Sequence, residues 1–236
     1  MKAWDHTFAT AGENLAADEA LLEALDSGVG EEVLRFWEPA GTFVVAGYAN
    51  PLAAWVEVEL CAQLGVSVLR RCSGGGAVVQ GPGCLNYALV TRVEEDDLDI
   101  PAANARIMQR QCGALRAVLG DGVSVRGVTD LALNGRKFSG NSQRRKRRAI
   151  LFHGSFLLQA DLALIGRLLV KPPRQPDYRG GRRHEEFLMN LNVPAGTIKE
   201  ALRQAWGARE LLRETPLGLI QQLAEKYAAP AWNNKF

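Results

Sequence analysis

A glycine-rich stretch next to two arginines carries the clearest chemical signal in this chain of 236 residues. Residues 70–87 read Arg-Arg-Cys-Ser-Gly-Gly-Gly-Ala-Val-Val-Gln-Gly-Pro-Gly-Cys-Leu-Asn-Tyr and follow an apolar run at 66–69 that is typical of a buried strand. Three consecutive glycines let a ligand approach the backbone closely and allow positive φ. The two arginines would hold an anion at the strand end. The sequence therefore predicts a pocket for a ligand with an acidic group; a purely structural hairpin is the alternative.

This stretch matches none of the common phosphate-binding loops. It has neither the G-x-x-x-x-G-K-[ST] pattern nor G-x-G-x-x-G, and no helical pattern follows the glycines directly. A helix N-terminus therefore does not supply the predicted anion site. The chain also lacks the G-x-S-x-G pattern of a serine nucleophile.

A second group of candidate residues follows a predicted tight turn at Asn134-Gly135. Lys137 opens the next strand, and because side chains alternate along a strand, we expect Lys137 and Ser139 to share one face. A lysine beside small hydroxyl residues and Gly140 could bind a carboxylate, or a phosphate, as a point charge. A solvated lysine beside a hairpin turn is the alternative interpretation.

The three histidines are not arranged as metal ligands. His153 lies between Phe152 and Gly154 in an apolar strand, where a hydrogen-bonded core histidine is more common than a catalyst. His6 and His184 have no acidic or cysteine partner at metal-ligand spacing. We therefore predict no metal ligands among the side chains.

The composition is that of a soluble globular protein, with 47% hydrophobic and 23% charged residues and a net charge of +2. This charge gives no general attraction to nucleic acid. The chain shows neither a signal-peptide pattern nor an apolar run of membrane-spanning length. Four scattered cysteines without C-x-x-C spacing argue against a disulfide framework or a zinc site, and they favour a reducing cytoplasm.

The hydrophobic patterns predict an α+β fold, with a mixed, largely antiparallel sheet flanked by helices. One helical pattern begins at Asn14, which is a suitable N-cap, and a long one covers 103–119. Strands predicted at 33–37 and 42–48 are expected to form a hairpin. Because the chain has neither an internal repeat nor a low-complexity linker, we predict a single domain over 1–236.

Together these segments resemble the lipoate–protein ligase and octanoyltransferase family, whose catalytic fold is shared with biotin–protein ligases. The resemblance covers most of residues 11–191 and implies a biotin/lipoyl protein ligase-like catalytic domain. Its matching parts are the first-helix signature Asn14-Leu-Ala-Ala-Asp-Glu-Ala, the early strand Leu34-Arg-Phe-Trp37, the R-R-x-S-G-G-G-A loop at Arg70–Ala77, Asn86 beyond that loop, Asp130 followed by Gly135-Arg-Lys-Phe-Ser-Gly140, and His153-Gly154.

The resemblance implies a role for each matching position. Lys137 would be the catalytic residue and would contact the acyl carbonyl and the phosphate of an acyl-adenylate. The acyl substrate would be bound by Arg71, Ser73, Gly74, Gly75, Gly76, Asn86, Ser139, Gly140, His153 and Gly154. The nucleotide would be bound by Asp130, Lys137 and Ser142. The implied reaction is activation of lipoate or octanoate by ATP with Mg²⁺, followed by attack of a lysine amine, with positioning and charge stabilisation as the main catalytic effects.

The family divides into ATP-dependent ligases and transferases that use a cysteine acyl-enzyme. Transferase cysteines lie shortly before the lysine segment or downstream of the His-Gly pair. Here the segment 120–129 contains no cysteine, and none follows Cys112. Cys72 and Cys84 border the glycine loop and are expected to be small hydrophobic residues. We therefore predict a ligase; a transferase acting on a carrier thioester and a non-catalytic lipoyl-binding module are the alternatives.

Two features bear on protein partners. Typical bacterial ligases of this family carry a small C-terminal accessory domain, which residues 192–236 are too few to match, so a separate accessory polypeptide is a candidate partner. The basic run Arg144–Arg148 is expected in a loop between strands, where it could steer an acidic lipoyl-carrier domain of the E2 or H-protein type. An idle exposed loop is the alternative. No aromatic residues are interleaved with the run, which argues against nucleic acid.

Overall fold

Strands dominate the first two thirds of the chain, and helices dominate the remainder. A computed structural model describes residues 1–172 and 175–236. The strands, β1 to β11, are Lys2–Asp5, Val33–Trp37, Phe43–Ala46, Ser67–Arg70, Val78–Gln80, Cys84–Arg92, Val123–Arg126, Asp130–Leu133, Arg136–Arg145, Ala149–Leu157 and Glu210–Leu211. The helices, α1 to α8, are Ala11–Ser27, Val58–Gln63, Ile100–Leu119, Leu162–Leu168, His184–Phe187, Ala195–Trp206, Leu217–Ala228 and Pro230–Asn233.

Two sheets form the frame of the molecule. The large sheet has the strand order β11-β1-β2-β6-β10-β9-β8-β7, and the small sheet has the order β4-β3-β5. In the large sheet β1 pairs in parallel with β2 and β11, whereas the pairs from β2 through to β7 are antiparallel. The predicted α+β fold with a mixed, largely antiparallel sheet is confirmed.

The central strand β10 is buried on both faces and shows how the layers are arranged. Ile150 and Phe152 belong to the apolar cluster that includes α3 and α6. Ala149 and Leu151 point to the opposite face and pack with α1. Because side chains alternate along a strand, His153 shares the α1 face with Leu151. Helix α1 therefore covers the face of the sheet to which His153 points.

Helix α1 begins before the predicted N-cap. Thr10 is the N-cap: its hydroxyl accepts the Glu13 N–H at 3.2 Å, and the Glu13 carboxylate accepts the Thr10 N–H at 2.9 Å. Asn14 lies inside the first turn, where its side-chain oxygen accepts the Phe8 N–H at 3.0 Å. The prediction of Asn14 as N-cap is wrong because this capping box satisfies the helix end one turn earlier.

The predicted hairpin between 33–37 and 42–48 is also wrong. Strand β2 pairs with β1 and β6 in the large sheet, whereas β3 pairs with β4 and β5 in the small sheet. Both strands are buried on both faces, so their sequences carry no alternation that identifies their neighbours. The predicted turn at Asn134-Gly135 is confirmed, with φ of 50° and 80° at its two residues.

Candidate active site

A cleft of about 860 Å³ lies between the small sheet, the strands β9 and β10, and the segment 175–188. This volume is within the range of small-molecule sites. The predicted site residues that line it are Arg71, Gly75, Gly76, Asn86, Asp130, Lys137, Ser139, Gly140, Ser142, His153 and Gly154. Ser73 and Gly74 do not line it, but both contact Arg71, which does. The structure thus brings both sequence segments to one site.

A β-bulge directs the Lys137 side chain into the cleft. Ser139 pairs with Leu131, and Lys137 pairs with the next residue, Ala132, so Phe138 is an extra residue in β9. The expectation that Lys137 and Ser139 share a face assumed strict alternation, which this bulge interrupts. Phe138 is fully buried in the apolar core, so the bulge also anchors the strand behind the lysine.

Two neighbours hold the Lys137 amine in place. Its Nζ lies 2.6 Å from Asp130 Oδ1. The other oxygen of Asp130 accepts the Tyr178 hydroxyl at 2.8 Å. Gly140 leaves space for the amine, because a Cβ at that position would lie 2.8 Å from Nζ. The lysine is therefore a pre-placed positive charge, whose carboxylate partner is fixed from the other side by a tyrosine.

Arg71 shapes the glycine loop through its own hydrogen bonds. Its Nε donates to Ser73 Oγ at 3.0 Å, its Nη1 donates to the Val45 carbonyl, and its Nη2 donates to the carbonyls of Gly74 and Gly76. Burial lowers the pKa of Arg71 to about 10, so it is a cation at neutral pH. Most of its N–H groups are used by the loop, which leaves little of the guanidinium for a ligand.

Arg70 does not face the cleft, so the prediction that both arginines hold an anion is wrong for this residue. It is fully buried, and its Nη1 donates to the carbonyls of Gly47, Tyr48 and Asn50. Adjacent residues of a strand point to opposite sides, so Arg70 and Arg71 cannot serve one ligand.

His153 is held on both ring nitrogens. Its Nε2 lies 2.6 Å from Ser73 Oγ, and its Nδ1 lies 3.3 Å from Asp18 Oδ2. Ser73 Oγ also accepts the Arg71 Nε–H at 3.0 Å, so this hydroxyl connects the histidine to Arg71. The predicted substrate-binding histidine is therefore a fixed part of the cleft wall.

Asp18 links this wall to a buried arginine that the sequence analysis did not select. Arg35 Nη1 donates to Asp18 Oδ1 at 2.5 Å, and Arg35 Nη2 donates to Asn14 Oδ1 at 2.7 Å. Both members of the ion pair are almost completely buried. The guanidinium also stacks 5.0 Å from the Trp4 ring. The only sequence signal was that these residues belong to the quoted first-helix and early-strand segments.

Asn86 belongs to a closed ring of three side chains on the cleft wall. Its amide nitrogen donates to Gln80 Oε1 at 3.2 Å, Gln80 Nε2 donates to Ser155 Oγ at 3.0 Å, and Ser155 Oγ donates back to Asn86 Oδ1. All three residues are buried. Gln80 and Ser155 were missed because each lies just outside a recognised motif. The ring places a rigid polar patch in a cleft that Trp37 and Val79 also line.

Gly154 and the hydroxyl of Ser142 have supporting roles. A Cβ at Gly154 would lie 2.0 Å from Asn141 Oδ1, an oxygen that accepts the Tyr87 hydroxyl at 2.6 Å. Glycine is therefore needed here to make room for the Asn141 side chain. Ser142 Oγ donates to the Gly74 carbonyl at 2.7 Å, so β9 and the glycine loop are tied together across the cleft.

One further cationic residue, Arg179, faces Lys137 from the segment 175–188, and the two cations form the cationic wall of the cleft. Arg179 lines the cleft, is 4% exposed, and lies 4.9 Å above the Phe187 ring. Among the ion pairs of the described residues, Arg179 has no acidic partner. Burial lowers the pKa of His184 to about 4, with repulsion from Arg179 and Lys137 adding to the effect, so His184 is neutral at pH 7. This wall suits a ligand with several negative charges.

Within residues 1–172 and 175–236, no group of three or more histidine, cysteine or acidic residues is arranged to hold a metal ion. The Asp130 carboxylate, which lines the cleft, is already bonded to Lys137 and Tyr178. No helix in the same ranges has the length and apolarity needed to cross a membrane.

The family described as "Lipoyl protein ligase A/B catalytic domain" matches residues 10–204. The chain belongs to this family, as the sequence motifs predicted.

The relatives include proteins named as lipoate-protein ligases and proteins named as octanoyltransferases. Lipoate-protein ligase A subunit 1 from Thermoplasma acidophilum is 24% identical over 93% of this chain and 90% of the relative. Octanoyltransferase LipM from Carboxydothermus hydrogenoformans is 26% identical over 89% of this chain and 83% of the relative. The family therefore contains ligases and octanoyltransferases at similar distances from this sequence.

Solved structures show the same fold. A lipoate-protein ligase A bound with ATP superposes with a TM-score of 0.81 at 23% identity and covers 99% of both chains. A bi-partite lipoate protein ligase from T. acidophilum, described with its E2 lipoyl domain, has a TM-score of 0.83 at 24% identity and covers 99% of this chain and 96% of that one. The predicted lipoyl-ligase catalytic fold is confirmed.

Proposed function

We propose that this chain is an ATP-dependent lipoate–protein ligase. It activates lipoate, or octanoate, as an acyl-adenylate and transfers the acyl group to a lysine of a lipoyl-carrier domain. The observation that carries the proposal is the pairing of a pre-placed Lys137 with a second cation, the buried Arg179, in a cleft where no cysteine is exposed as a nucleophile. The solved relative that binds ATP supports the use of the nucleotide.

In the first half-reaction a carboxylate oxygen of the acid attacks the α-phosphorus of ATP, and pyrophosphate leaves. Negative charge grows on the phosphoryl oxygens, where the Lys137 ammonium stabilises it without reorganisation. Asp130 holds this ammonium in position in the cleft. Arg179 faces the same space and would stabilise the departing pyrophosphate. The glycine loop admits the anhydride close to the backbone, since Gly75 and Gly76 present no side chain.

In the second half-reaction the neutral amine of the acceptor lysine attacks the acyl carbonyl carbon. An amide forms, AMP leaves, and the amine loses one proton to solvent. Lys137 stabilises the developing oxyanion and the phosphate of the leaving AMP. The acyl chain would lie along Trp37, Val79 and Leu157, which line the apolar part of the cleft.

Magnesium is proposed to enter with the nucleotide. The described side chains offer no ready-made cluster of ligands for it. Mg²⁺ in nucleotide-using enzymes is held largely by substrate phosphates and water, with only one or two carboxylates, so this donor set fits the ion as part of the substrate and not as a resident cofactor.

The buried cysteines support a ligase over a thioester transferase. All four are unpaired and buried. Burial raises the pKa of Cys72 to about 12 and also raises the pKa of Cys84, so neither is a thiolate at neutral pH. The relative named octanoyltransferase keeps transfer from a carrier thioester as the second candidate function.

Replacing all four cysteines by alanine should therefore leave ATP-dependent acyl transfer intact. The measurement is the mass of a lipoyl domain after incubation with lipoate, ATP and either protein. A covalent thioester on Cys72 or Cys84 of the wild-type chain, trapped by mass spectrometry, would contradict the ligase assignment. The single variants, checked for folding by circular dichroism, separate loss of chemistry from loss of structure.

Two protein partners are part of the proposal. An acidic lipoyl-carrier domain of the E2 or H-protein type is the acceptor, and a separate accessory polypeptide assists the catalytic domain formed by residues 1–236. The relative named as a ligase subunit, and the bi-partite ligase structure with its E2 lipoyl domain, support both partners. Four unpaired thiols support a reducing, cytoplasmic location.

The basic run Arg144–Arg148 is the proposed steering element for the acceptor. Arg144 and Arg145 are the last two residues of β9, and residues 146–148 form the turn to β10, so the predicted loop location is wrong for the first two arginines. Lys146 is paired with Glu23, and Arg145 donates to the Asp99 carbonyl at 3.2 Å. Arg144, Arg147 and Arg148 are exposed. These three charges are available to an acidic surface.

Changing Arg144, Arg147 and Arg148 to glutamine should slow acyl transfer to the carrier at low salt and leave adenylate formation unchanged. The difference should fade as the screening length falls to ~8 Å near physiological ionic strength. Both half-reactions are measured across a salt series. The control changes Arg167, Arg209 and Arg213, which are exposed elsewhere on the molecule. An unchanged transfer rate at low salt would leave the run as an idle loop, and a loss of adenylate formation would place it at the nucleotide.

A further inference from the structure

The end of β4, which leads into the glycine loop, directs alternate side chains to two opposite sides. Arg71 contacts the loop and lines the cleft, and Ser73 contacts His153. Arg70 and Cys72 point the other way, where they meet helices α7 and α8. The segment 217–236, which contains these helices, lies outside the family match that ends at residue 204.

Helix α8 forms hydrogen bonds with both the backbone and the side chain of Arg70. The Trp232 indole N–H donates to the Arg70 carbonyl at 2.7 Å. The Arg70 N–H donates to Asn233 Oδ1 at 3.0 Å, and its Nε donates to the Asn233 carbonyl at 3.2 Å. Asn233 is 7% exposed, and its amide nitrogen donates to the Tyr227 carbonyl at 2.8 Å. Arg70 is therefore fixed by three bonds from one short helix.

Further hydrogen bonds connect the Arg70 side chain to the glycine loop through the segment 47–50. Its Nη1 donates to the carbonyls of Gly47 and Asn50, both at 2.8 Å. The Asn50 amide in turn donates to the Gly75 carbonyl at 2.7 Å. A Cβ at Gly47 would lie 2.1 Å from that same carbonyl oxygen, so the two backbones are in direct contact. A continuous set of contacts thus leads from Asn233 to Gly75.

Helix α7 makes a second connection, two residues further along the chain than Arg70. Tyr227 is 1% exposed and lies beside Cys72, which is on the same side of the strand end as Arg70. Its hydroxyl donates to Glu19 of α1 at 2.7 Å. Helix α1 also carries Asp18, which contacts His153 in the cleft wall. Helices α1 and α7 together therefore contact both the strand end at Cys72 and the His153 side of the cleft.

We propose that residues 217–236 act as a positioning element, the C-terminal brace, that sets the conformation of the glycine loop for binding the acyl and phosphate groups. Trp232 and Asn233 are its positioning residues, and they act through Arg70 without touching the ligand. The proposal rests on the ligase function for its kinetic readout, while its structural readout is independent of any activity.

The test uses Trp232→Phe, which keeps an aromatic ring but removes the donor, and Asn233→Leu, which removes the bonds to Arg70 N–H and Tyr227. The matched control is Gln222→Ala, on the exposed side of α7. Trp232→Phe and Asn233→Leu should each lower kcat/KM for adenylate formation by about 10- to 100-fold, chiefly through KM, because small misplacements of binding groups have effects of this size. The control should keep the wild-type value. Amide hydrogen exchange at Tyr48 and Arg71, whose N–H groups bond to Ser73 and Ala46, should become faster.

Wild-type KM and wild-type exchange in both variants would overturn the proposal. A lower melting temperature with unchanged KM in the folded fraction would also overturn it, since that is the result of a merely structural contact. If Asn233→Leu fails to fold, Asn233→Ser and Trp232→Phe provide the same comparison with smaller changes in packing. If the wild-type chain forms no adenylate, the ligase function fails by itself, and hydrogen exchange alone then decides whether the brace controls the loop.

Discussion

Lys137→Ala should reduce acyl transfer by about 10²–10³-fold, the usual loss when one pre-placed charge partner is removed from an active site. The bulge at Phe138 and the bond to Asp130 place this amine in the cleft before any ligand arrives. Because the Lys137 side chain is partly exposed, its removal should leave the folded state largely unchanged. The measurements are lipoylation of a carrier domain by mass spectrometry and thermal unfolding.

The control for this variant is Lys171→Ala, which removes an exposed lysine outside the predicted site. Lys137→Arg tests geometry separately from charge, because a guanidinium cannot occupy the space above Gly140 in the same way. Near-normal acylation by Lys137→Ala, with the control also normal, would remove the role assigned to this residue.

Asp18→Ala should destabilise the protein by about 3–5 kcal/mol, because it leaves the buried Arg35 guanidinium without its counter-charge. This is a large share of the roughly 5–15 kcal/mol that stabilises a typical domain. The same change removes the acceptor for His153 Nδ1, so the residual folded protein should also bind its acyl substrate more weakly. Urea unfolding at neutral pH measures the first effect.

Asp121→Ala, at an exposed carboxylate, is the matched control and should change stability little. If Asp18→Ala loses less than about 1 kcal/mol, the range of an exposed ion pair, the buried pair does not have the importance that its burial indicates. Substrate binding that is unaffected in the folded variant would separate Asp18 from the cleft.

The site was predictable from sequence where the signal is local. Gly75 and the Asn134-Gly135 turn have positive φ, a conformation that few other residues adopt, so their types identify them directly. Lys137 lies two residues after Gly135, so the position of the turn also locates the lysine. These positions arrive in one cleft because β9 and the glycine loop are tied together by Ser142.

The rest of the site depends on contacts between distant segments, which residue type does not encode. Tyr178 and Arg179 come from a segment with no recognised pattern, and they reach Asp130 and the cleft through tertiary packing. The bulge at Phe138 could not be predicted, because the sequence gives strand alternation but not its interruptions. The opposite directions of Arg70 and Arg71 follow from alternation and could have been expected.

The fold shows the same division. The class and most strand and helix positions follow from hydrophobic periodicity, which is a property of each segment by itself. The assignment of β2 and β3 to separate sheets does not, because strands buried on both faces are compatible with many neighbours. The N-cap of α1 was predictable, because Thr10 and Glu13 have the residue types and spacing of a capping box. Asn14 is also a common N-cap residue type, so residue type alone favoured the wrong position.

The most direct test of the ligase assignment is exchange of labelled pyrophosphate into ATP by the purified chain, measured with and without lipoate and with no thioester present. Adenylate formation predicts exchange that depends on the acid, that is lost in Lys137→Ala and that survives removal of all four cysteines. The contradictory result is no acid-dependent exchange, together with octanoyl transfer from a carrier thioester to a lipoyl domain in the absence of ATP.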